Sequence, residues 1–247
     1  MKTGIVYLII GALFCSSINF VFNKQHNSRR NLESNLQQLN IVELSVKKRL
    51  SMVGAKLNMQ LAAFSNAVSS DKNFSLKLLV ENDKSSADVV DIAGRYLKAM
   101  DFSVLEVVDS NSTIVSSGHF PASVGLSDKD HITQLSSSPV AVEGNIMGNK
   151  VLTYQLKKEF RIADFAFYAV GGVEINEKFL SELAPFEKVK VLLKMGNKYI
   201  GMNDIRSISE IKDRKIIIND KEYFATQFPF SSAESSNKAL LLVVIEK

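Results

Sequence analysis

Three histidines (His26, His119 and His131) and one cysteine (Cys15) are the whole stock of imidazole and thiol groups in this chain. A single cysteine excludes an intrachain disulfide and any Cys₂ or Cys₄ metal site. Asp128-Lys129-Asp130-His131 crowds two carboxylates and an imidazole together. No second ligand group stands at a workable spacing, so the segment reads as the solvated start of a helix. Asp109-Ser110-Asn111 begins like a calcium loop, but the glycine and the closing glutamate are missing, which leaves a hairpin turn. The serines at 116, 117 and 136–138 have no G-x-S-x-G frame, and Gly171-Gly172 has no phosphate-loop pattern and suits a bulge or bend. Acid–base, nucleophilic and metal chemistry are therefore disfavoured. What remains is binding, which needs apolar walls and a few aimed polar groups. Tyr154, Arg161, Tyr168 and His119 can supply the polar groups, and Phe167 a wall. Against this, the tyrosines are equally ordinary core or rim residues, Arg161 a solvated hairpin end and His119 a surface-loop histidine.

The elements that must position these residues follow from periodicity. Apolar positions three and four apart run through Leu32, Leu36, Leu39, Glu43, Val46, Leu50, Val53, Leu57, Gln60, Phe64 and Ala67, a heptad seam on a helix with no proline. That stem spans roughly 54 Å. It packs either on its own domain or, in addition, on a second protomer, and the latter predicts a homodimer through the stem. Glu43 and Gln60 on the seam weaken a coiled coil. Asp71-Lys72-Asn73 breaks the pattern, and two shorter helices follow, over 74–81 and 85–100. Strands are predicted at Ser103–Val108 and Thr113–Ser117 around a tight turn, and Gly118–Lys150 reads as irregular. Val151–Lys158 and Arg161–Val173 form an antiparallel pair; alternation puts Phe165, Phe167 and Ala169 on one face, opposite Tyr168. Asn176 caps a short helix ended by Pro185. Strands return at 189–195, 199–201, 215–218, 222–228 and 239–245, with turns at Gly196-Asn197 and Asn219-Asp220. Two successive α-then-antiparallel-β units result, an α+β fold divided near residue 175.

Gly4–Phe22 is an uncharged 19-residue run, about the hydrocarbon thickness of a bilayer as a helix. No A-x-A site follows it, so an uncleaved anchor over residues 1–23 is expected, with a cleaved signal as the competing reading. Lys24, Arg29 and Arg30 beyond the run outnumber Lys2 before it, which by the positive-inside rule favours a cytoplasmic domain. A three-residue tail before a signal-like run favours export instead, and export is the expectation. The 46% hydrophobic and 23% charged fractions exclude collagen-like, disordered and multi-span classes. A net charge of +4 without a basic block predicts no nucleic-acid partner.

With anchor, long helix and "VLEVVDSNSTIVSSGHFPASVG" in this order, the chain resembles the extracytoplasmic Cache (PAS-like) sensors of bacterial membrane receptors. Val107, Val108, Asp109, Asn111, Thr113, Ile114, Val115 and Ser116 match the strand and turn of that pattern. "YQLKKEFRIADFAFYAVGGVEINEKFLSELA" is similar to its central hairpin and linker helix, particularly in two-component histidine kinases. The resemblance covers about residues 24–247 and rests on order more than on invariant residues. It implies tandem PAS-like antiparallel sheets: a stem over 24–70, a membrane-distal lobe over 71–175 and a smaller membrane-proximal lobe over 176–247. It implies a small-molecule ligand, no cofactor, no enzymatic activity in this chain, and a place on the periplasmic or outer side of a bacterial inner membrane. Receptors of this kind continue into a second membrane helix and an output domain, so the expectation is an orphan sensor or the sensory part of a receptor. The rival expectation is a bitopic scaffold protein of an envelope assembly such as a pilus or secretion machine, which would have no buried pocket.

Overall fold

The computed structural model describes residues 2–202, 205–233 and 239–246, with side chains described from Glu33 onward. The anchor expected over 1–23 lies outside the described side chains, and no helix among the described residues is long and apolar enough to cross a membrane. Helix α1 (Lys2–Ser70) carries the stem. Leu39, Val42, Val46, Leu57, Leu61, Phe64 and Val68 are its buried apolar residues among those described, with Leu50 and Val53 packed beside them. These recur about every 3.6 residues, the period of a straight helix, and not every 3.5 as a supercoiled heptad seam requires. The heptad reading is corrected accordingly: the inward stripe takes Val42, Leu61 and Val68 where the seam had Glu43, Gln60 and Ala67. Glu43 sits at the edge, accepting from Lys47 Nζ and Thr226 Oγ1, both at 2.6 Å. Gln60 donates to the Met100 carbonyl at 2.7 Å.

The helix packs this stripe on its own sheets. Asp71 ends it and caps α2 (Lys72–Ser75), accepting from Phe74 N–H. A π-helical turn (Leu76–Val80), α3 (Ala87–Val90) and α4 (Ile92–Leu97) take the place of the two longer helices expected. The first sheet then forms from β1 (Val104–Asp109), β2 (Ile114–Ser117), β3 (Val140–Ile146), β4 (Asn149–Ile162) and β5 (Phe165–Glu174). It is antiparallel throughout, in the order β2-β1-β5-β4-β3. Asp109 makes the β1–β2 turn, its Oδ1 accepting from the N–H groups of Asn111 and Thr113. The span 118–150 is not irregular throughout. It holds a 3₁₀ turn (Pro121–Ser123), α5 (Lys129–Gln134) and all of β3. Nor does the long hairpin turn at 159–160. Phe160 pairs with Phe167, the rings stacked at 5.8 Å, and the chain reverses at Ala163, whose φ is 50°.

Helix α6 (Glu177–Leu183), capped by Asn176, leads to the second sheet. This sheet comprises β6 (Val189–Met195), β7 (Lys198–Ile200), β8 (Lys215–Ile218), β9 (Lys221–Pro229) and β10 (Ala239–Glu246), in the order β7-β6-β10-β9-β8. Glu43 and Lys47 of α1 meet Thr226 and Phe228 of β9. Further along, Gly54 lies against Pro139 and the Tyr154 hydroxyl, and Leu61 against Gly171. One helix thus spans both sheets, the second sheet lying nearer its N-terminal end. A Cβ on Gly171 would come 2.8 Å from Leu61 Cδ1, and one on Gly172 2.5 Å from the Tyr154 carbonyl oxygen. The two glycines serve close approach within a regular ladder, where a bulge or bend had been expected.

Candidate functional site

The first sheet has two faces with different fates. Leu105, Val107, Leu156, Phe167 and Ala169 share the core with α1. On the other face, Val108, Val142 and Val170 are covered by Ile132 and Leu135 of the 118–139 segment, which lies over the sheet as a lid. A cavity of about 190 Å³ remains between lid and sheet. Glu106 from β1, His119 just past β2 at the start of the lid, Asp128 and His131 from the start of α5, Asn145 from β3 and Gln155 from β4 line it. Glu106, His119 and Gln155 are 4%, 5% and 0% exposed, an unusual burial for three polar side chains that demands partners.

The partners are partly there. Phe120 N–H donates to Ser117 Oγ at 3.2 Å, and Ser117 Oγ donates to Glu106 Oε1 at 3.1 Å. Leu105 N–H donates to His119 Nδ1 at 3.3 Å, which leaves the proton of the neutral ring on Nε2, 3.6 Å from Glu106 Oε1. Burial pushes the Glu106 carboxyl up to about 7, with the nearby Asp128 charge adding to it. Burial also pushes His119 down to about 4, so its ring stays neutral. Burial disfavours the charged form of His131 too, but Asp128, 2.9 Å from its Nδ1, outweighs that, and its pKa is raised.

Gln155 is held from behind. Thr153 Oγ1 donates to the Val142 carbonyl at 2.8 Å, so its oxygen is free to accept from Gln155 Nε2 at 2.7 Å. The relay fixes which way the amide points. A Cβ at Gly144 would stand 2.9 Å from Gln155 Nε2 and 3.0 Å from Thr153 Oγ1, so the relay needs glycine there. Gln155 Oε1 is left without a hydrogen-bond partner, as is His131 Nε2. The amide lies near enough to help hold His131 protonated, but the pair does not meet hydrogen-bond geometry. Two buried polar atoms are therefore open to a further group.

Of the residues proposed from sequence as ligand-binding, only His119 lines this cavity. Tyr154 and Phe167 face α1 in the core, with Tyr154 also stacked on Phe230 at 5.2 Å. Tyr168 is half-buried on the lid face beside Lys157 Nζ, and Arg161 is exposed near the hairpin end. The structure does not bring these four together with His119. Glu106 went unmarked because it alternates with apolar neighbours in "VLEVV", where a lone acidic residue reads as the solvent side of a strand. His131, read as solvated, was the available signal, and its role depends on the lid folding back. Among the described residues no group of three or more His, Cys, Asp and Glu is arranged to hold a metal ion.

No protein-family model matches the chain, and no curated protein matches it. Solved structures do. The sensor domain of the histidine kinase DctB of Vibrio cholerae superposes with a TM-score of 0.52 at 10% identity, over 87% of this chain and 99% of that one. The ligand-binding domain of the Pseudomonas fluorescens chemoreceptor CtaA, solved with L-alanine, gives 0.52 at 11% identity, over 87% and 97%. The chain has the Cache-type fold. In Cache terms, the long helix, the two antiparallel sheets and their order along the chain are those expected from the resemblance. Identities this low establish the architecture alone. The two solved structures are themselves a sensor domain and a ligand-binding domain.

Proposed function

We propose that this chain is the extracytoplasmic ligand-sensing region of a membrane-bound receptor of the two-component histidine kinase type. The observation that carries it is the lidded cavity of the first sheet, with Glu106, His119 and Gln155 buried in its wall. Because α1 reaches both sheets, a ligand that tightens the lid can bias the whole helix. The uncharged run at its start would anchor it in the inner membrane. The second sheet would lie membrane-proximal and the first membrane-distal.

In a thermal-shift screen of small metabolites against the full chain, a true ligand at a hundred times its Kd adds about 2.7 kcal/mol of stability. That corresponds to a rise in Tm of roughly 5–10 °C for a protein of this size. Ser127 is exposed at the cavity rim, and Ser127→Trp should abolish the shift while leaving the unliganded Tm nearly unchanged. A shift that survives Ser127→Trp would move the site elsewhere. A stable hetero-oligomer with no ligand response would favour the scaffold reading.

A homodimer through the stem would use a different face from the seam expected for it. The inward stripe of α1 is consumed by its own sheets, but Ile41, Leu44, Met52 and Met59 are 64%, 67%, 61% and 69% exposed on the same helix. We assign the second protomer to this outward stripe. Leu44→Asp combined with Met52→Asp should convert a dimer to a monomer in sedimentation and leave Tm within about 2 °C, since neither residue packs in the fold. A dimer indifferent to both substitutions would exclude this face.

A further inference from the structure

The groups around the cavity narrow the chemistry of what it can take. The inference rests on the sensor reading above and goes further by naming a ligand class. From β1 comes the Glu106 carboxyl; from the lid, His119, the Asp128 carboxylate and His131; from β3, Asn145; and from β4, Gln155. Among the described residues no lysine or arginine is in this wall. Lys157, on the same face of β4 as Gln155, gives its Nζ to the Ile132 carbonyl at 2.7 Å and lies over the Tyr168 ring. The neutral His119 ring has its Nδ1 already occupied by Leu105 N–H. With Nδ1–H of His131 turned to Asp128, its Nε2 accepts when the ring is neutral. The two open atoms, Gln155 Oε1 and His131 Nε2, are then both acceptors, set among two carboxyl groups.

Such a wall welcomes hydrogen-bond donors that carry positive charge and offers nothing permanent to balance a carboxylate. At interior packing density a cavity of about 190 Å³ accommodates roughly seven non-hydrogen atoms. We propose that the cavity binds a small organic ammonium ion lacking a carboxylate, its N–H groups donating to Gln155 Oε1, His131 Nε2 and Glu106. The site then discriminates against α-amino acids and dicarboxylates by leaving their carboxylate unpaired in a buried wall.

Binding of this kind competes with protons. Glu106 must be ionised to pair with the cation, and His131 must be neutral to accept. With the Glu106 carboxyl titrating about 7, its ionised fraction rises about tenfold from pH 6 to pH 8, and affinity rises with it.

The test is calorimetric titration of the full chain in detergent with ethylammonium, ethanolamine and putrescine, each against glycine, L-alanine and succinate, at pH 6 and pH 8. The expected result is binding of at least one of the three amines, at least tenfold tighter at pH 8, and none of the carboxylates. Glu106→Gln and Gln155→Leu should each weaken it at least tenfold, with thermal unfolding of both variants confirming that they fold. If glycine, L-alanine or succinate binds as well as the amines, or if Glu106→Gln leaves amine binding intact, the ligand class is wrong while the sensor reading stands. If none of the six compounds binds and no ligand emerges from the metabolite screen, both fall.

Discussion

Replacing Phe64 with alanine should lower the stability of the chain by about 3–5 kcal/mol, or roughly 10 °C in Tm. Phe64 is fully buried on α1 and meets Tyr96 edge-on, with ring centroids 5.5 Å apart. Truncating it removes a large apolar group and leaves a hole that neighbours from a helix, a sheet and α4 cannot all close at once. Thermal melts followed by circular dichroism would measure the loss. Ser51→Ala, at an exposed position of the same helix, should change Tm by no more than about 2 °C. A small effect at Phe64 would mean that the helix is not part of the core. This decides how a signal can travel. A helix sharing a core with both sheets cannot be shifted without repacking them, so on the proposed sensor reading a ligand-induced change at the first sheet and a displacement of α1 would be one event.

The second large effect concerns the buried Glu106–His119 pair and the dependence of stability on pH. In the native chain Glu106 titrates at about 7 against 4.5 when unfolded. The native state therefore binds a proton that the unfolded state has lost. The resulting stability is present at low pH and disappears as pH rises from 4.5 through 7. His119 titrates at about 4 against 6.5. Its contribution is present above 6.5 and disappears as pH falls through 4. Each shift of about 2.5 units is worth about 3 kcal/mol, and between pH 4.5 and 6.5 the two slopes oppose and nearly cancel. The wild-type chain should be close to flat in that window in urea unfolding.

Glu106→Gln keeps the shape and removes one slope. The variant should lose about 3 kcal/mol relative to its own maximum as pH falls from 6.5 to 4. His119→Gln should do the reverse, losing a similar amount as pH rises from 4.5 to 7. His131, whose pKa is raised, adds in the direction of Glu106: its stabilisation is lost as pH rises. Parallel pH profiles for the wild type and Glu106→Gln would show that the carboxyl is not buried as described. The same two residues line the cavity, so a ligand that holds Glu106 ionised would also reshape this profile.

Much of the architecture could be read from local pattern. The end of α1 at Asp71, the Asn176 cap, the turn at Asp109 and most strands of both sheets follow from side chains acting within a few residues of themselves. β3 is not legible in the sequence because Pro139 stands directly before it and Gly144 interrupts its alternation, and Gly144 is there for a reason that lies on another strand: room for Thr153 and Gln155. The β4–β5 hairpin ran longer than expected because Phe160 and Ile162 are held by partners across the turn, not by their own neighbours.

The candidate site was harder to read than the fold. Tyr154, Phe167 and Tyr168 have the right chemistry for a pocket, but which face of a strand meets a helix and which meets a lid is a property of the packed sheet. Only His119 was found in advance, next to the strand end that the sequence marks with Gly118. By itself, the sequence determined the order of elements, the apolar stripe along the stem, the α+β class and the scarcity of metal and thiol chemistry, because these depend on residue type and short-range spacing. Tertiary structure alone decided that the stem stripe is spent on its own sheets, and that Glu106, His119, His131 and Gln155, from two strands and a lid, converge on one cavity. That convergence depends on strand register and on the 118–139 segment folding back over the sheet. Both are set by contacts between residues far apart in the chain, where neither periodicity nor composition leaves a mark.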